Sequence, residues 1–228
     1  MRFPRCLLFA SLAVVSTACE AVNYSADLAG NSIFYNDVPF RTRSPGDRPA
    51  HVLPVADRRD ISALPAHDRG FPITYVGDDF WERPVPVMVG EVLARQLRDS
   101  ELFPQMLDTI EPQALLVKPT LVAFTTAAVE GMAGSRSFAE IGLQVQVYGP
   151  VNENGKRPIW LDKVYNNRQA SQLELHPISP YRLIGRALQI AVGKALVDLD
   201  GSNVARTNAP TARDVEIAVE AAAPAPGR

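Results

Sequence analysis

Three histidines, His51, His67 and His176, are the chain's only imidazoles. Each is a candidate general base, because an unperturbed imidazole titrates near neutrality. They are scattered, without a His-x-x-x-His pair, and a lone histidine beside a strand or in a loop is ordinarily just solvated. His67 adjoins Asp68, yet sequence neighbours rarely face one another as a catalytic pair. A serine nucleophile finds no Gly-x-Ser-x-Gly setting, since Gly134-Ser135-Arg136 lacks the second glycine. No glycine-rich loop precedes a Lys-Ser or Lys-Thr pair, no dinucleotide fingerprint follows a strand, and no Cys-x-x-Cys pair offers zinc ligands. Asp78-Asp79 lacks following oxygen ligands at a calcium-loop spacing, so a turn or a cap for the next helix suits it better. These residue types predict a protein that is not an enzyme and holds no cofactor and no metal.

Two clusters suggest binding instead. Asp57-Arg58-Arg59 reads either as a partner-binding patch at a strand's end or as a local ion pair in which Asp57 caps a turn. Phe80-Trp81, two large aromatics just before a helix, reads as a hydrophobic staple or as a partner anchor. The candidate partner-binding residues are therefore Asp57, Arg58, Phe80 and Trp81.

Cys19 carries the most specific chemistry. Arg2 and Arg5 give a positive start, and Cys6 to Val15 is an apolar run too short to cross about 30 Å of hydrocarbon as a helix. Ser16, Thr17 and Ala18 then precede the cysteine. This end resembles a bacterial lipoprotein signal, in which such a cysteine is lipidated, cleaved behind, and becomes the first residue. Serine stands at position 16, where leucine is usual in that signal. Ser16 and Ala18 also suit an ordinary signal peptidase, so plain secretion is one alternative and a retained anchor the other. Either cleavage removes residues 1–18. Each acyl CH₂ buried in a bilayer contributes about 0.8 kcal/mol, so several chains on Cys19 hold a folded domain firmly. Glu20, rather than the aspartate that marks inner-membrane retention, follows the cysteine, and the resemblance implies the periplasmic face of the outer membrane. The mature chain then keeps no free thiol.

Composition narrows the partners. The 228 residues are 46% hydrophobic and 21% charged, which excludes a wholly disordered chain. A net charge of −2 supplies no electrostatic footprint for nucleic acid. The 19 prolines outnumber the 14 glycines, which suits strands joined by extended connections.

The elements that must position these residues follow from periodicity. Residues 19–49 read as a flexible tether of Asn, Ser, Gly and Asp, interrupted by Ile33, Phe34 and Tyr35. Val52 to Val55 is a short strand that Pro54 confines to an edge. Residues 58–83 form a long aromatic loop. Pro84 to Ser100 is a helix with Val85, Met88, Val89, Val92, Leu93 and Leu97 on one stripe. Three strands follow: Ala114 to Val129, with a break expected at Pro119; Phe138 to Tyr148, strictly alternating; and Ile159 to Ala170, joined to its predecessor by a hairpin at Asn154-Gly155. A second helix starts at Ser179-Pro180, repeats apolar residues at three and four, and stops at Gly201, placed for a left-handed cap. Residues 202–228 read as a disordered Ala/Pro-rich tail. The expected architecture is an α+β two-layer domain over residues 50–201. In it an antiparallel or mixed sheet of about four strands is covered on one face by two amphipathic helices.

Val55-Ala56-Asp57-Arg58-Arg59 at a strand end, Trp81 before a helix, the helix VLARQLRDSELF (Val92 to Phe103) and a β-β-β-α finish resemble a family group. These are the ABC-type transport auxiliary lipoproteins of Gram-negative envelopes and relatives with a TolB amino-terminal-like domain. The long proline-rich loop departs from their compact form. The resemblance implies a non-catalytic, lipid-anchored subunit of an envelope transport or assembly machine, with envelope proteins or a second copy of itself as partners. It also implies membrane contact through the lipid alone, with no nucleic acid and no small-molecule substrate. The other two readings are a ring-forming accessory of a polysaccharide or fibre exporter, and a secreted hydrolase with an unrecognised site.

Overall fold

Strict alternation of apolar and polar residues from Ile141 to Tyr148 makes the sheet's spine and buries Ile141, Leu143, Val145 and Val147 on one face. The structure is a computed structural model describing residues 26–68, 70–131, 134–171 and 179–206. The signal segment, Cys19, His176 and the tail from residue 207 lie outside the described residues. Among the described residues seven strands are present: β1 (Ala50–Val52), β2 (Ala56–Asp57), β3 (His67–Asp68), β4 (Phe71–Val76), β5 (Leu115–Gly131), β6 (Gly134–Tyr148) and β7 (Ile159–Ala170). Two α-helices join them, α1 (Val85–Asp99) and α2 (Pro180–Gly201).

The class is α+β, as expected, but the sheet is larger than the four strands read from the sequence. β5, β6 and β7 run antiparallel, in that order. The outer edge of β5 is shared: β1 and β2 pair in parallel with its first half, and β4 pairs antiparallel with its second half, with β3 beyond. β1 to β4 are two to six residues long, and the segment holding the last two reads as an aromatic loop because it is short of alternating residues.

Pro119 does not break β5. It pairs in register with Val145. The amide of Leu115 donates to Pro49, while Val117 and Leu121 accept from Leu53 and Arg58, so odd-numbered residues here address β1 and β2. Pro119 belongs to that odd series and lies opposite the gap at Leu53–Val55 between β1 and β2. Its missing N–H falls where no acceptor is presented.

Leu115, Val117 and Leu121 of β5 join the inward residues of β6 and the apolar stripes of both helices in one core. A bulge between Leu121 and Ala123 then reverses the facing of β5. Beyond it, Ala127 and Val129 pack with Phe138, Ile73 and Tyr75 in a small second cluster.

The expected tether is a strap. Among the described residues of that segment, Leu28 and Tyr35 are buried, and the chain runs along both helices from their N-terminal to their C-terminal ends. The Val38 amide donates to Oε1 of the buried Gln96 at 2.6 Å, Arg95 pairs with Asp37, and the Thr42 amide donates to Ser100. Thr42 Oγ1 donates to Asp200 at the far end of α2. Gly185 permits the closest approach, because a Cβ there would lie 1.5 Å from the Phe34 carbonyl oxygen.

Two boundaries also shift. Gly201 is still helical, and the left-handed residue is Asn203 at φ 55°, since asparagine also tolerates that region. Val204 and Ala205 are buried, and Ala205 accepts amides from Asp47 and Arg48, so the described start of the expected tail is packed. Asn154-Gly155 sits at the tip of a longer β6–β7 loop. Arg157 holds that loop by donating to the carbonyls of Glu111, Ala114 and Gly149.

Candidate functional site

Arg59, not Arg58, organises the charged cluster. Its Nε donates to Asp57 Oδ1 at 2.9 Å and its Nη2 to Asp57 Oδ2 at 2.7 Å, while Nη1 and Nη2 reach both oxygens of Asp78 at 2.9 and 2.7 Å. One guanidinium thus ties the end of β2 to the 3-10 turn Asp78–Phe80, and it is largely covered, with 13% of its side chain exposed. Hydrogen bonding from Arg59 holds the Asp57 carboxyl below the usual carboxylate value, against the opposing effect of partial burial. The two carboxylates in turn raise the already high pKa of Arg59. Arg58 is exposed, using its backbone amide on Leu121.

Trp81 is buried, and its ring meets Phe34, Phe80, Phe124 and Tyr181 edge-on, with centroids 5.2 to 6.2 Å away. Phe80 stacks on Tyr181. The expected partner anchor is therefore interior: α2 and the strap close over it, contributing Tyr181 and Phe34. Asp79 is free of the bracket that Asp78 makes, and Asp78 is an ion-pair member rather than a cation ligand.

The bracket forms one wall of a cleft of about 320 Å³. Ile61, Leu64, Tyr75, Val76 and Phe124 supply its apolar lining, and Asp60 its rim. Tyr75 donates its hydroxyl to the Pro65 carbonyl at 2.8 Å, pinning the loop that carries Ile61. Ile61 is 72% exposed and Phe71, at the start of β4, is 41% exposed. These two are the apolar residues that the Phe71-to-Trp81 stretch and its approach leave in water. A single exposed isoleucine is unremarkable in sequence, which is why the reading favoured the aromatics.

The remaining candidates lie elsewhere. His51 places Nδ1 2.9 Å from the Leu107 carbonyl oxygen, so this nitrogen is spent as a donor to the backbone. His67 lies in β3, opposite Pro72. Neither histidine meets a nucleophile. Among the described residues no three His, Cys, Asp or Glu side chains converge as metal ligands, and no helix is long and apolar enough to cross a membrane. A second bracket escaped the sequence reading: Arg83 pairs with Asp27 of the strap and Glu91 of α1. Its two carboxylates lie 56 and 8 residues from Arg83 in sequence, separations that carry no local signal.

No family model and no curated protein matches the chain. Solved structures similar to it include protein XCC0632 of family DUF330 from Xanthomonas campestris, with TM-score 0.45 and 10% identity over 75% of this chain and 92% of that one. Another is the hypothetical protein CT253 from Chlamydia trachomatis, with TM-score 0.43 and 13% identity, covering 71% of this chain and 99% of that one. A minor lipoprotein from Acinetobacter baumannii aligns at TM-score 0.38 and 7% identity, over 69% of this chain and 94% of that one.

Proposed function

We propose that the protein is a non-catalytic lipoprotein of the bacterial envelope, anchored through Cys19 and facing the periplasm from the outer membrane. It acts by binding an envelope protein at the Ile61 cleft. The observation that carries the reading is the sorting of the site's groups. The charges of Arg59, Asp57 and Asp78 are consumed in an internal bracket while Ile61 stands in water at the cleft. Such a surface suits an apolar side chain of a partner, with Asp60 at the cleft to set orientation. In the cleft lining the Tyr75 hydroxyl is spent on Pro65, the Asp78 carboxyl on Arg59 and the Asp60 carboxyl on Ser62, which supports binding over catalysis. The arginine bracket keeps the cleft wall rigid, so little ordering is required on docking.

Fractionation and crosslinking test the two halves separately. Wild-type chain is expected with the outer membrane and Cys19→Ser in the soluble periplasm; an unchanged distribution would remove the anchor. A photocrosslinker at Ile61 in the native envelope is expected to trap one envelope protein, and Ile61→Asp to abolish its co-purification at unchanged thermal stability. Retained co-purification removes the cleft.

A further inference from the structure

The two edges of the sheet are treated differently. On one, the paired segments are short and interrupted, with Pro54 between β1 and β2, Pro65 before β3 and Pro72 within β4. These are the devices by which proteins keep a sheet edge from pairing. The other edge is β7, which has twelve residues, contains no proline, and pairs only with β6 among the described residues. Odd residues of early β5 face β1 and β2, so even ones face β6. Carried through the registers Thr120↔Gln144 and Leu143↔Tyr165, the same alternation points the amides and carbonyls of Asp162, Val164, Asn166 and Arg168 away from β6. Val164 is exposed on this edge, and Val197 of α2 is exposed beside it across a shallow groove.

The charges on that edge match themselves. β7 carries three, Asp162, Lys163 and Arg168. Lys163 is in an ion pair with Asp198 of α2. Asp162 accepts from Gln144 and Gln146 and has no cation, while Arg168 lies over the Phe138 ring with its carbon 4.7 Å from the centroid. Neither is in an ion pair among the described residues, although Glu140 stands opposite Arg168 in the register. Two copies of β7 placed antiparallel about a two-fold axis at Tyr165 set Asp162 of each opposite Arg168 of the other, and Val164 opposite Asn166. This is the one same-face register that pairs unlike charges, and it sets no like charges directly opposite.

We propose that β7 is a homodimer interface, formed by antiparallel pairing of β7 with β7 of a second copy into one continuous sheet. The partner is this chain itself because the edge is self-complementary in charge at that register. About eight backbone hydrogen bonds arise between Asp162 and Arg168 of the two strands. α2 lies over β6 and β7, so the two α2 helices stand two to three strand spacings apart, roughly 10 to 14 Å, no closer than the 8–10 Å of packed helices. They do not clash, and Val197 and Lys194 project into the space between. The interface is separate from the Ile61 cleft and does not depend on the lipid.

Sedimentation velocity on the full chain carrying Cys19→Ser tests this. A reversible monomer–dimer equilibrium is expected. Arg168→Asp and Asp162→Arg should each weaken it about tenfold, and the double exchange Asp162→Arg/Arg168→Asp should restore it. Val164→Pro, which removes only an outward amide, should give monomer at unchanged melting temperature. Monomer at every concentration up to millimolar overturns the proposal, as does a higher oligomer, or a double exchange no better than the singles. Dimerisation that appears only after residues 207–228 are deleted also overturns it, because the chain's own end would then be the occupant.

Discussion

Trp81 shows what a single side chain does here. It is 7% exposed and touches four other aromatic rings, so Trp81→Ala is expected to destabilise the fold by about 3–5 kcal/mol in urea unfolding. Loss of partner binding in that variant should track loss of folded protein. Arg59 acts through charge. Its hydrogen bonds hold Asp57 below the ordinary aspartate value, so the folded state binds this proton less readily than the unfolded state. The stabilisation is present above the unfolded value and is lost as pH falls through the folded one. Circular-dichroism melts from about pH 5 down to about pH 2 should therefore show a drop in melting temperature that is flatter in Arg59→Met. Asp57 with Arg59 was legible as a cluster, because the two are neighbours in sequence. Asp78 was not, since it lies 19 residues from Arg59 and only β4 folding back along β5 brings it there.

Elements with a strong period were readable, and those held by tertiary contacts were not. β6, β7 and α2 announce themselves by alternation or by spacings of three and four, and β7 has the expected bounds, Ile159 to Ala170. Proline at 119 misled because its cost depends on what the neighbouring strand presents, which is set by the gap after β1. Pro119→Val should accordingly change the unfolding free energy measured in urea by no more than about 0.5 kcal/mol. The strap has no period at all. Its bonds join residues distant in sequence, such as Val38 and Gln96, 58 residues apart. Gly185→Ala forces a Cβ onto the Phe34 carbonyl and is expected to cost about 1–3 kcal/mol. Faster hydrogen exchange at the Val38 amide would report that the strap has lifted.

At the scale of the molecule, the body begins before the first strand. Leu28 and Tyr35 belong to the main core, so a chain starting at residue 50 is expected to lose cooperative unfolding, whereas one starting at residue 26 should keep it. Differential scanning calorimetry of the two truncations checks this. The α+β class was visible in the sequence because a sheet and two amphipathic helices suffice to define it. The strap was invisible because polar, turn-rich residues such as Asn31, Asp37 and Ser44 mask the apolar ones that dock.

The strap also sets a distance. With residues from 26 onward fastened to the helices, only the seven links from Cys19 to Ala26 remain to pay out, at most about 25 Å when fully drawn. Ala26 lies against Glu82, just before α1. On the proposed anchor, that corner stays within a short leash of the lipid surface, so any companion more than one protein diameter away must come to it.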